Sequence, residues 1–343
     1  MYNLLMKVKT TWSFSLDHEA QRLIHNCHAI SNGFFKTNGF YPVPIGSVDE
    51  HVASVLLPDL PYLTISRFWE KVAKIPIDQM HMIDQPKLTS QLKKLLLQIP
   101  SIPSPDFAKV KLQWDKISPE FFNQVDQILP NKKGLINEVI IWPTNFGTSC
   151  SFSKIEYTPG KVYVWLRINQ GVESIAWAIL SSLTRQNVVD KLDGLWQESQ
   201  IIVDWLMNET LLSRLFEHPL RSMRALRAKQ NASMLETSNK FLTKIGAPNI
   251  DSSSIKKVDT SSFTSREKKL LDLLITKSPQ IVTFDEINEL LTNNLPAGRQ
   301  DYEQFSLYAI SKSIQRLRDR LEKSGISGSF IQTKRGEGYL LVN

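Results

Sequence analysis

Toward the end of the chain, apolar residues recur with helical spacing. Between Leu307 and Lys323, residues Ile310, Ile314, Leu317 and Leu321 fall at i, i+4, i+7 and i+11, so they share one face of an α-helix. The opposite face carries Tyr308, Lys312, Gln315, Arg316 and Asp319, and Arg318 and Arg320 flank the apolar stripe. Two shorter helices are predicted upstream. Thr264-Ser-Arg-Glu267 and Thr283-Phe-Asp-Glu286 are capping boxes, in which a threonine hydroxyl and a glutamate carboxylate satisfy reciprocal backbone N–H groups. Leu270, Leu271 and Leu274 give the first helix its buried stripe, and the second runs over Phe284–Leu291. After the long helix, Phe330–Thr333 and Tyr339–Val342 read as strands joined by Lys334-Arg-Gly-Glu-Gly338. Two glycines permit positive φ in a tight turn, which sets Arg335 at its tip. Three helices followed by a hairpin make a winged helix.

The preceding residues are patterned more weakly. Residues 1–12 alternate as a strand would, and Leu16–Asn32, Leu63–Ala73 and Leu88–Ile99 have helical spacing. Tyr41–Gly46 reads as a loop and Ser101–Pro105 as a turn-rich joint. Ser118 is predicted to cap a new helix, with Pro119 at its first position. Glu138–Pro143, Ser149–Tyr157 and Lys161–Ile168 read as strands of a small antiparallel sheet, with Thr158-Pro-Gly160 turning between the last two. Val172–Thr184, Leu195–Phe216 and Pro219–Gly246 follow as helices, and Asn249–Ser262 as a linker rich in Ser, Asp and Lys. The expected fold class is α+β. A mixed helical domain with a small sheet spans 1–218, a basic helix 219–248, a linker 249–262 and a winged helix 263–343.

The chain has 343 residues and a net charge of +7. Residues 1–218 balance 21 basic against 21 acidic side chains, whereas residues 219–261 hold 8 against 3 and residues 262–343 hold 12 against 10. The excess lies at the back, which points to a polyanionic partner there. All eight tryptophans lie before residue 218, so composition also divides the chain in two. No apolar run approaches the ~20 residues that span a bilayer, and the first residues lack the order of a secretory signal. With two cysteines, Cys27 and Cys150, no disulfide framework is possible. These features predict a cytoplasmic protein without a membrane partner.

Candidate chemistry in the front domain is sparse. His25-Asn-Cys-His28 is its one ligand-like cluster, and two imidazoles on one helix face are fewer than a zinc site needs. The order hairpin, helix, helix with Glu198 is similar to that of zincin metallopeptidases. The stretch matching their His-Glu-x-x-His helix, Ala176–Leu183, has neither His nor Glu, so that resemblance implies a degenerate enzyme. No phosphate-binding glycine loop and no nucleophile elbow occurs. The expectation is no catalytic residue, no metal and no cofactor. Arg221, Arg224 and Arg227 recur every three residues. They read as a solvated helix face, with phosphate contacts as the alternative.

The C-terminal segment resembles the OmpR/PhoB-type winged-helix domain of bacterial response regulators over about residues 262–343. The family's third helix typically reads Val-Asp-Val-His-Ile-x-Arg-Leu-Arg-Lys-Lys-Leu, where this chain has Ile310-Ser-Lys-Ser-Ile-Gln-Arg-Leu-Arg-Asp-Arg-Leu321. Its wing, Thr-x-Arg-Gly-x-Gly-Tyr, is matched by Thr333-Lys-Arg-Gly-Glu-Gly-Tyr339. The resemblance implies a DNA-binding transcription regulator. It implies that Lys312, Ser313, Gln315 and Arg316 face the major groove, and that Thr333 and Arg335 meet backbone and minor groove. Tyr308, Arg318 and Lys334 complete the expected DNA-binding set. Ser311 and Ser313 replace the family's Asp and His, so its target sequence does not transfer. The sheet that usually precedes the first helix is expected to be short or missing. The loop Asn293–Phe305, which can meet RNA polymerase in the family, is enlarged. Residues 1–120 lack the βα alternation of a receiver, so phosphorelay control is not expected. The front domain would instead sense a small-molecule or protein effector, or direct assembly. Two other functions remain open on the sequence: a metallopeptidase-like enzyme whose winged helix mediates protein contacts, and a nucleic-acid maintenance factor without sequence preference.

Overall fold

A computed structural model describes residues 8–47, 53–75, 85–99, 106–216, 232–293 and 305–342. In chain order the front part runs β1 (Lys9–Trp12), α1 (Leu16–Ser31), α2 (Phe34–Thr37), β2 (Tyr41–Pro44), β3 (Ser54–Leu57), α3 (Phe68–Ala73), α4 (Pro86–Leu96), α5 (Ala108–Ile128), β4 (Ile136–Thr144), β5 (Cys150–Phe152), β6 (Gly160–Arg167), α6 (Val172–Gln186), α7 (Trp196–Glu209) and α8 (Ala232–Lys244). The fold class is α+β, as the pattern implied.

The main sheet has the order β1-β4-β6-β5. Its first three strands are parallel and only the edge strand β5 is antiparallel, which corrects the expected antiparallel sheet. Alternate residues face opposite layers. Val139, Ile141, Val162, Val164 and Leu166 pack with Trp114, Phe121, Ile179 and Val203 of α5, α6 and α7. On the other side, His18 of α1 stacks on Trp142 at 4.1 Å and His25 meets the edge of Trp165 at 5.8 Å. The far face of α1 buries Leu23, Cys27 and Ile30 with Trp69, Val72 and Leu92 of α3 and α4.

Two further expectations fail. Tyr41–Pro44 is a strand, not a loop, and pairs in parallel with β3. Tyr41 N and Ile45 N donate to Ala53 O and Leu57 O, so Pro42 and Pro44 fall where the strand turns its donors away from its partner. Ser118 caps nothing, because Ala108–Ile128 is a single helix with Pro119 inside it. Asp115 and Pro119 are both exposed, so water can serve the carbonyl that the ring leaves unpaired.

Of the predicted basic helix, residues 219–231, with Arg221, Arg224 and Arg227, lie outside the described residues. So does the joint over residues 101–105. The remaining part, α8, belongs to the front body. Phe241 and Ile245 enter the core around α1, and Trp69 Nε1 donates to Ile245 O at 3.3 Å. Gly246 (φ 68°) ends the helix.

The C-terminal part comprises α9 (Ser252–Ile255), α10 (Ser265–Lys277), β7 (Val282–Thr283), α11 (Phe284–Thr292), α12 (Leu307–Lys323), β8 (Ile331–Lys334) and β9 (Gly338–Leu341). Both capping boxes form. Leu270, Leu274, Ile287, Leu291, Ile310, Ile314, Leu317 and Leu321 build one core, closed by Phe330, Ile331 and Tyr339 of the hairpin region. The expected linker is partly structured, since it forms α9 and places Ile255 in this core, with Ile250 and Val258 packed beside it. Residues 249–262 hold no strand, and β7 joins the wing in a sheet of order β7-β9-β8.

The two parts touch. Ser327 N donates to Asn32 O at 2.8 Å, and a Cβ added at Gly33 would lie 2.6 Å from the Phe330 ring, so glycine is needed for that approach. Beside this seam, at the end of α12, Glu322 is half-buried with its carboxyl turned inward, where it accepts from Gly328 N at 2.8 Å. Burial pushes its carboxyl from 4.5 up to about 7, with Asp319 adding repulsion. A raised acid pKa means that the fold favours the protonated form. The stabilisation is complete below pH 4.5 and is lost as pH rises through about 7. The melting temperature of the full chain is expected to fall across that window relative to Glu322→Gln. Parallel curves for the two proteins would show that this carboxyl does not titrate there.

Candidate nucleic-acid interface

Amphipathicity positions α12. Ser306 caps it, its hydroxyl accepting from Ala309 N at 3.2 Å, and its apolar face is at most 1% exposed. The outward face therefore has a fixed orientation. Tyr308 stands 71% exposed, and the Lys312 ammonium lies 5.4 Å from its ring centroid, a cation–π contact that holds the charge along the helix. Arg316 is exposed one turn further. Gln315 Nε2 donates to Asp319 Oδ1 at 3.1 Å, and the Ser313 hydroxyl donates back to Ala309 O at 2.9 Å. Of the expected row, Tyr308 and Arg316 are fully presented, Lys312 and Gln315 are half-buried, and the Ser313 proton is committed to its own helix.

Arg318 sits elsewhere. Its side chain is 11% exposed, and its Nε and Nη2 donate to Ile331 O at 3.1 and 2.9 Å. Nη2 also donates to Thr333 Oγ1 at 3.0 Å, and Nη1 pairs with the Asp193 carboxylate. This guanidinium fastens α12 to the wing and both to the front domain. The structure does not bring it to the exposed row.

The wing turns at Gly336 (φ 79°) and Gly338 (φ 153°). A Cβ on Gly338 would penetrate the Val282 carbonyl, because β7 lies directly alongside. Arg335 is at the tip, yet it is not free. Its Nε and Nη2 donate to the two carboxylate oxygens of Glu198, both at 2.9 Å. The bidentate pair holds Glu198 below, and Arg335 above, their usual ranges. Thr333, which is 9% exposed, donates to Asp193 O at 3.2 Å. Tyr339 Oη donates to Asp193 Oδ2 at 2.7 Å, and burial raises its phenol pKa. Lys334 is half-buried.

Sequence reasoning missed Asp193, and missed Glu198 as a partner of the wing. Asp193-Gly194 is a turn signal and Glu198 marks a helix start, but neither discloses a partner some 140 residues away. The enlarged loop expected over Asn293–Phe305 lies mostly outside the described residues.

In the front domain, His28 Nδ1 lies 2.7 Å from Val72 O and Nε2 lies 2.9 Å from Asn32 Nδ2, so both ring nitrogens are engaged. Among the described residues no three His, Cys, Asp or Glu side chains converge in a way that would hold a metal ion. None of the described helices is long and apolar enough to cross a membrane.

Residues 259–341 match the family described as transcriptional regulatory protein, C terminal, in agreement with the OmpR/PhoB-type winged helix read from the sequence. No curated protein and no solved structure matches the chain. Gly338→Ala is expected to lower stability by about 2 kcal/mol or more, through strain at a backbone conformation only glycine favours. Urea denaturation of the full chain measures it, and an unchanged midpoint would mean that β7 and β9 separate freely.

Proposed function

We propose that this protein regulates transcription by binding duplex DNA, with α12 in the major groove and the wing at the neighbouring minor groove. One observation carries the reading. The segment matched to transcriptional-regulator C-terminal domains presents Tyr308, Lys312, Gln315 and Arg316 outward from a helix whose other face is buried. A helix of this width fits a groove roughly 12 Å across. Arg316 would donate to base edges or phosphates, Lys312 to phosphate, and Gln315 to a base after exchanging Asp319. Thr333 and Lys334 would address the backbone, and Arg335 the minor groove, whose negative potential attracts a guanidinium. Arg318 supports these groups from behind. The front domain would supply sensing or assembly in a cytoplasmic bacterial regulator, with RNA polymerase as a further partner.

Arg316→Ala is expected to weaken duplex binding by about tenfold or more. Lys312→Ala is expected to weaken it uniformly across sequences and to reduce the salt slope by about one. Gel-shift titrations at several salt concentrations measure both, and unchanged affinity in both variants would remove α12 from the interface.

A further inference from the structure

We propose that the front-domain turn Leu192–Glu198 is an internal anion that holds the wing closed, so that the intact chain binds DNA weakly until the wing is released. This rests on the reading of the C-terminal segment as a duplex binder.

Two of the three wing groups expected to meet DNA, Thr333 and Arg335, are occupied by the chain itself. Arg335 gives Glu198 the forked, two-bond contact that an arginine gives a phosphate. Thr333, the expected backbone contact, donates to Asp193 O. Arg335 Nη1 also points to Leu192 O at 3.4 Å. A carboxylate and two carbonyls thus stand where phosphate oxygens would stand.

The turn is shaped for this task. It follows a π-helical turn, Asn187–Lys191, at the end of α6. Asp193 adopts φ 52°, a conformation that aspartate tolerates better than most residues. A Cβ at Gly194 would lie 2.6 Å from Val188 O, so the backbone folds tightly on itself. Leu195 N donates to Glu198 Oε2 at 2.7 Å, which aims that carboxylate from the first turn of α7.

Closure engages two wing groups and leaves the helix open. Tyr308 and Arg316 remain exposed while Arg335 and Thr333 are engaged. The closed chain retains binding through α12 and gains affinity when the wing is freed. The two anchors differ in strength. The Arg335–Glu198 side chains are 57% and 32% exposed, a pair that a phosphate can replace. The Arg318–Asp193 side chains are 11% and 10% exposed, so separating them also uncovers a buried charge. Release of the whole wing is governed by Asp193, and release of its tip by Glu198.

The test uses the full chain and a fluorescent random-sequence duplex of about three helical turns, followed by anisotropy between about 50 and 200 mM salt. Glu198→Gln is expected to bind roughly threefold tighter. The double variant D193N/E198Q is expected to bind roughly tenfold tighter or more, with a salt slope steeper by about one. Adding Arg335→Gln to either background should cancel the gain. Hydrogen exchange on the wild-type chain gives a second readout, in which saturating duplex should speed exchange of residues 192–198. If Glu198→Gln and the double variant bind no tighter while Arg316→Ala still weakens binding, the closed wing is refuted and the function stands. Bound duplex with unchanged exchange at residues 192–198 refutes it equally. If no form of the chain binds duplex, both readings fall.

Discussion

The Arg318 guanidinium is the constraint on which the C-terminal architecture depends. It is a charge with little solvent, and such a charge persists only when its donors are paired. Ile331 O and Thr333 take part of it from the wing, and Asp193 takes the rest from the front domain. The angle between α12 and the hairpin is set by these bonds as well as by apolar packing. A Cβ at Gly328 would lie 2.8 Å from Arg318 Cβ, so the chain entering the hairpin has been thinned to let this side chain through. The residue therefore aligns α12 with the wing without joining the exposed row of α12.

The front domain solves a similar problem where α1 crosses the sheet. Glu19 accepts from Thr144 Oγ1 at 2.6 Å and from Asn145 N and Nδ2, each at 2.8 Å. Arg22 donates to Thr148 and Ser151, and Arg167 donates to Gly147 O at 3.2 Å. Burial lowers the Arg22 pKa to about 10 and raises that of Glu19. A Cβ at Gly147 would lie 2.5 Å from Arg22 Nε, so the arginine is sealed by backbone. The cluster fixes α1 at the ends of β4 and β6, and with it the seam where Asn32, Gly33 and Thr37 receive the C-terminal domain.

How much of this was legible in the sequence follows from the range of each interaction. The capping boxes at Thr264 and Thr283, the stripe Ile310–Leu321 and the two glycines of the wing act over a few residues, and the sequence displays them directly. The parallel sheet was hidden because β1 meets β4 across more than a hundred residues, and nothing in Lys9–Trp12 names its neighbour. Pro42, Pro44 and Pro119 misled for a related reason. A proline forbids one hydrogen bond, and the fold decides whether that bond was needed. Asp193 and Glu198 were illegible as partners of the wing because their role exists only after two separate cores have formed and met.

One consequence follows from the position of Asp193, which belongs to the front domain and holds both Arg318 of α12 and the wing residues Thr333 and Tyr339. Coupling between two sites is reciprocal: whatever factor the front domain imposes on the affinity for a target sequence, an occupied target must impose on the front domain. A bound operator would loosen the turn after α6 as surely as that turn restrains the wing. Bound DNA would then be an effector of the front domain, and occupancy of the duplex an input to that domain as well as an output of the chain.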